Sequence, residues 1–112
     1  MTLALTTWNL TSEQLYEKLS SLFPTAETDW SGHEKLPAPP FTVYSELSPF
    51  NVKGDNKVLH SYRKYRVELY IEKTDYESEA KLEALFDEND LYWDKDRNWN
   101  RELGLYQTIY EI

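Results

Sequence analysis

Side chains capable of chemistry are plentiful in this sequence, but they do not fall into reacting sets. His33 and His60 stand 27 residues apart, and neither has a second ligand at the spacing a zinc site needs. His33-Glu34 opens like the metal-binding helix of a zinc protease, yet the second histidine is missing and Pro37, Pro39 and Pro40 follow. With no cysteine, thiolate nucleophiles, cysteine-based zinc or iron–sulfur centres and disulfides are excluded. Three glycines cannot build a phosphate-cradling loop, and no serine sits in a nucleophile-elbow setting. The densest ionisable set is Glu79, Glu83 and Asp87, at four-residue intervals. On a helix they stack into one row, which the pattern places on an exposed flank, where pKa values stay ordinary and ill-suited to acid–base work. No enzyme activity, cofactor or metal is expected.

A second pattern lies in residues 62–73, where Tyr62, Tyr65 and Tyr70 interleave with Arg63, Lys64 and Arg66. Base stacking with phosphate contacts would use such a pattern. A net charge of −8 opposes it, because an acidic protein repels nucleic acid. Strands use aromatics for packing and charges for cross-strand pairs. Protein interfaces also favour aromatics and arginine, so an interaction protein is the favoured class.

The elements that must position these residues follow from periodicity. Tyr65, Val67, Leu69 and Ile71 alternate with Arg66, Glu68, Tyr70 and Glu72, the period of a strand buried on one face. This strand is the one the others are expected to pair with or cover. Before it, Thr11-Ser12-Glu13-Gln14 reads as a capping box opening a helix over residues 12–22, with Leu15, Leu19, Leu22 and Phe23 as its stripe and Pro24 as its stop. Residues 26–30 fit a short strand, 31–40 a proline-rich loop, 41–47 a strand and 49–56 a second loop with turn chemistry at Gly54-Asp55-Asn56. Phe50 and Val52 are apolar residues in that polar loop. They either fold back onto the domain or reach a neighbouring subunit. After the central strand, Thr74 or Asp75 caps a helix ending near Glu88, with Ser78, Leu82, Leu85 and Phe86 inward. Residues 91–99, anchored by Trp93 and Trp99, and residues 105–112 supply two more strands. The expected fold is α+β, in the order α-β-β-β-α-β-β: a mainly antiparallel sheet of 4–5 strands with two helices packed against it. Residues 1–10 are expected as a flexible arm and 11–112 as one domain.

Bulk properties agree. A chain of 112 residues is long enough for one modest core, and 15 % aromatic residues argue against disorder. The start of the chain lacks a signal-peptide pattern, and no apolar run approaches a membrane span, so a soluble protein is expected. Charge is uneven: residues 57–73 hold five basic and two acidic side chains, residues 75–90 one basic and seven acidic.

Several segments now stand together: Pro40-Phe41-Thr42-Val43-Tyr44, Asp55-Asn56-Lys57-Val58, Tyr65-Arg66-Val67-Glu68-Leu69-Tyr70, Glu72-Lys73-Thr74-Asp75, the run from Leu82 to Glu88, and Tyr106-Gln107-Thr108-Ile109-Tyr110-Glu111-Ile112. In this order, over residues 37–112, the chain resembles the tail-completion (tail terminator) proteins of long-tailed, siphovirus-type bacteriophages and prophages of Gram-positive bacteria. The resemblance implies a non-enzymatic subunit of a ring, expected as a hexamer. That ring would stop growth of the tail tube and face the head connector, with DNA passing through it unread. Its partners would be its own copies, the tail tube protein and the head connector proteins. It would be assembled in the host cytoplasm and reside in the virion tail. On this expectation Phe50, Val52, Lys53, Asp55, Arg63 and Arg66 are candidate subunit or tube contacts, and Glu79, Glu83 and Asp87 are candidate lumen lining. A head–tail joining protein seated on the connector is the near alternative, and a small protein-binding module of unrelated role the distant one.

Overall fold

The computed structural model describes residues 10–30, 36–73 and 75–112, the side chain of His60 excepted. Residues 1–9 of the arm expected over 1–10, His33 and the cap at Thr74 lie outside them, whereas Leu10, the last residue of that expected arm, is buried in the core and belongs to the domain. The elements run α1 (Ser12–Ser20), β1 (Thr25–Glu27), β2 (Phe41–Gly54), β3 (Lys57–Ile71), α2 (Tyr76–Glu88), β4 (Asp94–Asn100) and β5 (Leu105–Glu111). The sheet order is β1-β2-β3-β5-β4. Only β1 pairs parallel; the other three ladders are antiparallel. This is the expected α+β fold in the expected order, with β3 at the centre.

Alternation along β3 builds the core. Tyr65, Val67, Leu69 and Ile71 are all buried and meet Leu15 and Leu19 of α1 and Leu82 and Phe86 of α2. Burying each aliphatic of this set contributes about 1.5–3 kcal/mol, large against a net stability of about 5–15 kcal/mol. Cross-strand partners carry the same face outward: Tyr44 and Tyr110 flank Val67, while Thr42 and Thr108 flank Leu69. The opposite face is not uniformly solvated. Phe41 and Val43 are buried there, Phe41 stacks on Tyr70 at 4.8 Å, and Trp30 meets Phe41 edge-on at 6.1 Å. The expectation of a sheet buried on one face is therefore corrected at the β2 side, where Trp30 and Leu36 line a small cleft over these rings.

The helices begin as their cap residues dictate. The Thr11 hydroxyl accepts from the Gln14 amide at 3.1 Å, and the Gln14 side chain accepts from the Thr11 amide at 2.9 Å, completing the capping box. Helix α1 ends at Ser20, two residues earlier than expected, so Leu22 falls beyond it and is exposed while Leu15, Leu19 and Phe23 remain buried. Asp75 caps α2 by accepting from the Ser78 amide and hydroxyl. At the other end, Asp90 takes a left-handed conformation and the Leu91 amide reaches back to the Phe86 carbonyl at 2.9 Å.

The expected loop over residues 49–56 is absent. Strands β2 and β3 continue through it and meet at a two-residue turn, Asp55-Asn56, whose φ values are +51° and +60°. Both central residues left-handed is the geometry whose twist matches a hairpin, and Asp and Asn tolerate it. Gly54, expected to supply that freedom, pairs with Lys57 as the last rung instead. Pro49 is accommodated at a register shift between Leu47 and Phe50, as an irregularity lets a strand hold a residue without an amide hydrogen.

Candidate functional site

The feature with no role in the core is the distal half of that hairpin. Strand β1 covers β2 only as far as Tyr44, and β5 covers β3 only over residues 66–71, with backbone bonds between Tyr65 and Ile112 closing the ladder. Residues 45–64 therefore form a two-stranded arm that, among the described residues, has an open edge on each side. Ten residues of paired strand at roughly 3.3 Å each carry its tip about 30 Å from Tyr44, and the molecule's extents are 49 × 30 × 24 Å.

The arm shows apolar side chains to solvent. Phe50, Val58 and Leu59 are 61 %, 57 % and 59 % exposed. Alternation along β2 puts Phe50, Val52 and Gly54 on one side of the ribbon. Tyr62 lies there too, its ring 6.3 Å from that of Phe50. Leu59 bulges out of the β3 ladder and closes over Gly54, where an added Cβ would meet its Cδ1 at 2.5 Å. A ribbon with exposed apolar groups and, among the described residues, no strand on either edge is what proteins cover or pair. The arm holds four basic and two acidic residues, net +2, in a chain of −8, so the rest carries −10.

Of the residues expected to make contacts, Phe50, Val52, Lys53 and Asp55 sit on the arm, and Arg63 lies exposed on its return strand. Arg66 does not join them. It stands in the sheet between Ser45 and Glu111, with its Nε 3.5 Å from Glu68. Val58, Leu59 and Tyr62 are additions. The adjacent apolar pair Val58-Leu59 inside the basic stretch was the available signal, since two neighbouring strand residues cannot both follow the inward phase of Tyr65.

The acidic row of α2 is corrected more sharply. Glu79 and Glu83 face the sheet, Glu79 being 2 % exposed, while Asp87 is exposed as expected. The Glu79 carboxylate accepts from both Arg97 nitrogens, Nε and Nη2, and from the Thr108 hydroxyl at 2.7 Å. Lys95 stands 3.7 Å from the same carboxylate. Glu83 accepts from Lys95 at 2.9 Å and from the Tyr110 hydroxyl at 2.7 Å, and Asp87 from the Trp93 indole at 2.9 Å. Lysine and arginine on β4 point inward because Lys95 and Arg97 oppose Tyr110 and Thr108. The row is thus a strap joining α2 to β4 and β5, and Glu79 is not available to line a channel. Burial, and then the bond to Glu83, raise the Tyr110 phenol well above its ordinary value.

Among the described residues, no group of three or more His, Asp or Glu is arranged to hold a metal ion. Also among them, no helix is long and apolar enough to cross a membrane. No family model, curated protein or solved structure matches the chain, so the hairpin arm and the strapped body are what a functional reading must start from.

Proposed function

We propose that the chain is a non-enzymatic structural subunit of a long-tailed bacteriophage or prophage: a tail-completion protein whose copies form a ring, expected as a hexamer, capping the tail tube at its junction with the head connector. The observation that carries this reading is the hairpin arm, a basic ribbon with exposed Phe50, Val58 and Leu59 standing out from an acidic body. A closed ring is built from heterologous contacts, so each subunit must offer two unlike surfaces. Arm and body are unlike in shape and in charge. An acidic assembly also lets DNA pass without adhering to it. Its partners in this reading are its own copies, the tail tube protein and the head connector proteins, and its place is the virion tail, after assembly in the host cytoplasm.

Negative-stain microscopy of the purified protein mixed with tail tubes tests this. Rings at one end of the tubes, with tube growth arrested there, are the expected outcome. Binding to connectors and not to tubes would assign the head–tail joining role instead. Association with neither would remove the phage reading.

A further inference from the structure

The arm's occupant can be argued from unpaired charges. Lys53, Lys57 and Lys64 make no ion pair among the described residues, and neither do Glu13, Glu17 and Glu27. The acids of α2 that lie nearest the sheet are already paired with Lys95 and Arg97, which sets them apart from this second trio. Glu13, Glu17 and Glu27 converge on one open cleft of 330 Å³ between α1 and the β1–β2 edge. The cleft has an aromatic wall. Tyr16, 45 % exposed, lies 6.3 Å from the ring of Tyr44, whose hydroxyl donates to Glu27 at 3.2 Å. A surface that is both aromatic and anionic suits apolar side chains flanked by lysines.

The arm's own cleft is beyond its reach. Tyr44 stands at the arm's root, and a paired ribbon holds Lys53 and Lys57 roughly 30 Å away. We infer that the hairpin arm of one subunit seats in the α1–β1 cleft of a second copy of this chain, with Lys53 and Lys57 facing Glu13, Glu17 and Glu27. The contact is heterologous, since arm and cleft are different surfaces, so it propagates from copy to copy. Two basic arms meeting face to face would bring like charges together. The inference rests on the ring reading only for the closure of that chain of contacts.

The test is a pair of charge-swapped chains followed by sedimentation velocity across concentration. K53E/K57E alone is expected to weaken self-association about tenfold or more, and E13K/E17K alone to do the same. Mixed in equal amounts they should associate as the unaltered chain does, because each arm then finds a cleft of opposite sign. Circular dichroism confirms that both chains are folded. Since the chain has no cysteine, Asn56→Cys mixed with Glu17→Cys should also form a disulfide-linked dimer, while either alone with an unaltered chain should not. A chain that stays monomeric at the highest soluble concentration would overturn the inference. So would association unaffected by E13K/E17K, or a disulfide-linked dimer formed by Asn56→Cys alone, which arm–arm pairing would give. Failure of the phage reading looks different: self-association and rescue persist, but nothing caps a tail tube.

Discussion

Arg97 on the edge strand β4 grips Glu79 on α2 through two guanidinium nitrogens, Nε at 3.3 Å from Oε2 and Nη2 against Oε1. Because Thr108 donates to the same carboxylate from β5, three elements meet at one buried charge. β4 itself is exposed along almost its whole length, so this grip does for it what apolar burial does for β3. Replacing Arg97 with methionine leaves the buried Glu79 carboxylate with the Thr108 hydroxyl and a longer ion pair to Lys95 at 3.7 Å. The expected loss is about 2–3 kcal/mol in urea unfolding, together with faster hydrogen exchange in residues 94–100. A loss under half a kcal/mol would mean that water enters the strap and solvates Glu79.

Tyr65 donates its buried hydroxyl to the Leu10 carbonyl at 2.6 Å, across 55 positions of chain. Tyr65→Phe deletes the donor and leaves that carbonyl buried. The expected cost is about 1–2 kcal/mol, with earlier proteolytic cleavage just before Thr11 than in the unaltered chain. Unchanged cleavage with reduced stability would separate the two effects.

Asn56 holds a φ of +60° at the arm's tip. A β-branched residue there is strained, so Asn56→Val is expected to cost about 1–2 kcal/mol locally. The signature is loss of amide protection within residues 45–64 while the body keeps its protection. Equal loss in both would show that arm and body unfold as one unit.

Alkaline pH should unfold the protein through its tyrosines. Burial, with a smaller contribution from Glu68, pushes the Tyr70 phenol up to about 12, and burial likewise raises Tyr44, Tyr65 and Tyr110. A folded-state pKa above the unfolded value of about 10 means the neutral phenol is favoured by folding. That contribution is intact below about pH 10 and is lost as pH climbs through 10 to 12 and beyond. Phenolate absorbance from this buried set should therefore rise only together with loss of circular dichroism. Ionisation of Tyr70 and Tyr110 near pH 10 with the fold intact would contradict their packing.

The legible parts of the fold were those governed by local rules. The capping box at Thr11 and Gln14, the inward phase of Tyr65 to Ile71 and the buried stripe Ser78, Leu82 and Phe86 each depend on neighbours a few residues away. The arm was missed because Pro49 and the Gly54-Asp55-Asn56 run are loop signals in composition, whereas a register shift absorbs the proline and the turn occupies two residues only. The strap on α2 was missed for a different reason. A carboxylate row reads as solvated unless its counter-ions are known, and Lys95 and Arg97 become neighbours only once β4 lies against β5. As for the candidate contacts, adjacency in sequence located Phe50, Val52, Lys53 and Asp55 on one projection, but it could not separate Arg66, whose strand position is set by its two cross-strand partners.

Tyr65 has one more consequence. Its amide and carbonyl are both bonded to Ile112, at 3.1 and 3.0 Å, and its hydroxyl to Leu10, at the point where the arm leaves the sheet. Mechanically, this residue is a fulcrum. A sideways push on the tip, with some 30 Å of ribbon as lever, is resisted at its root by these three bonds, two to Ile112 and one to Leu10. Stiffness at that root would let a force gathered at the tip be felt in the middle of the core.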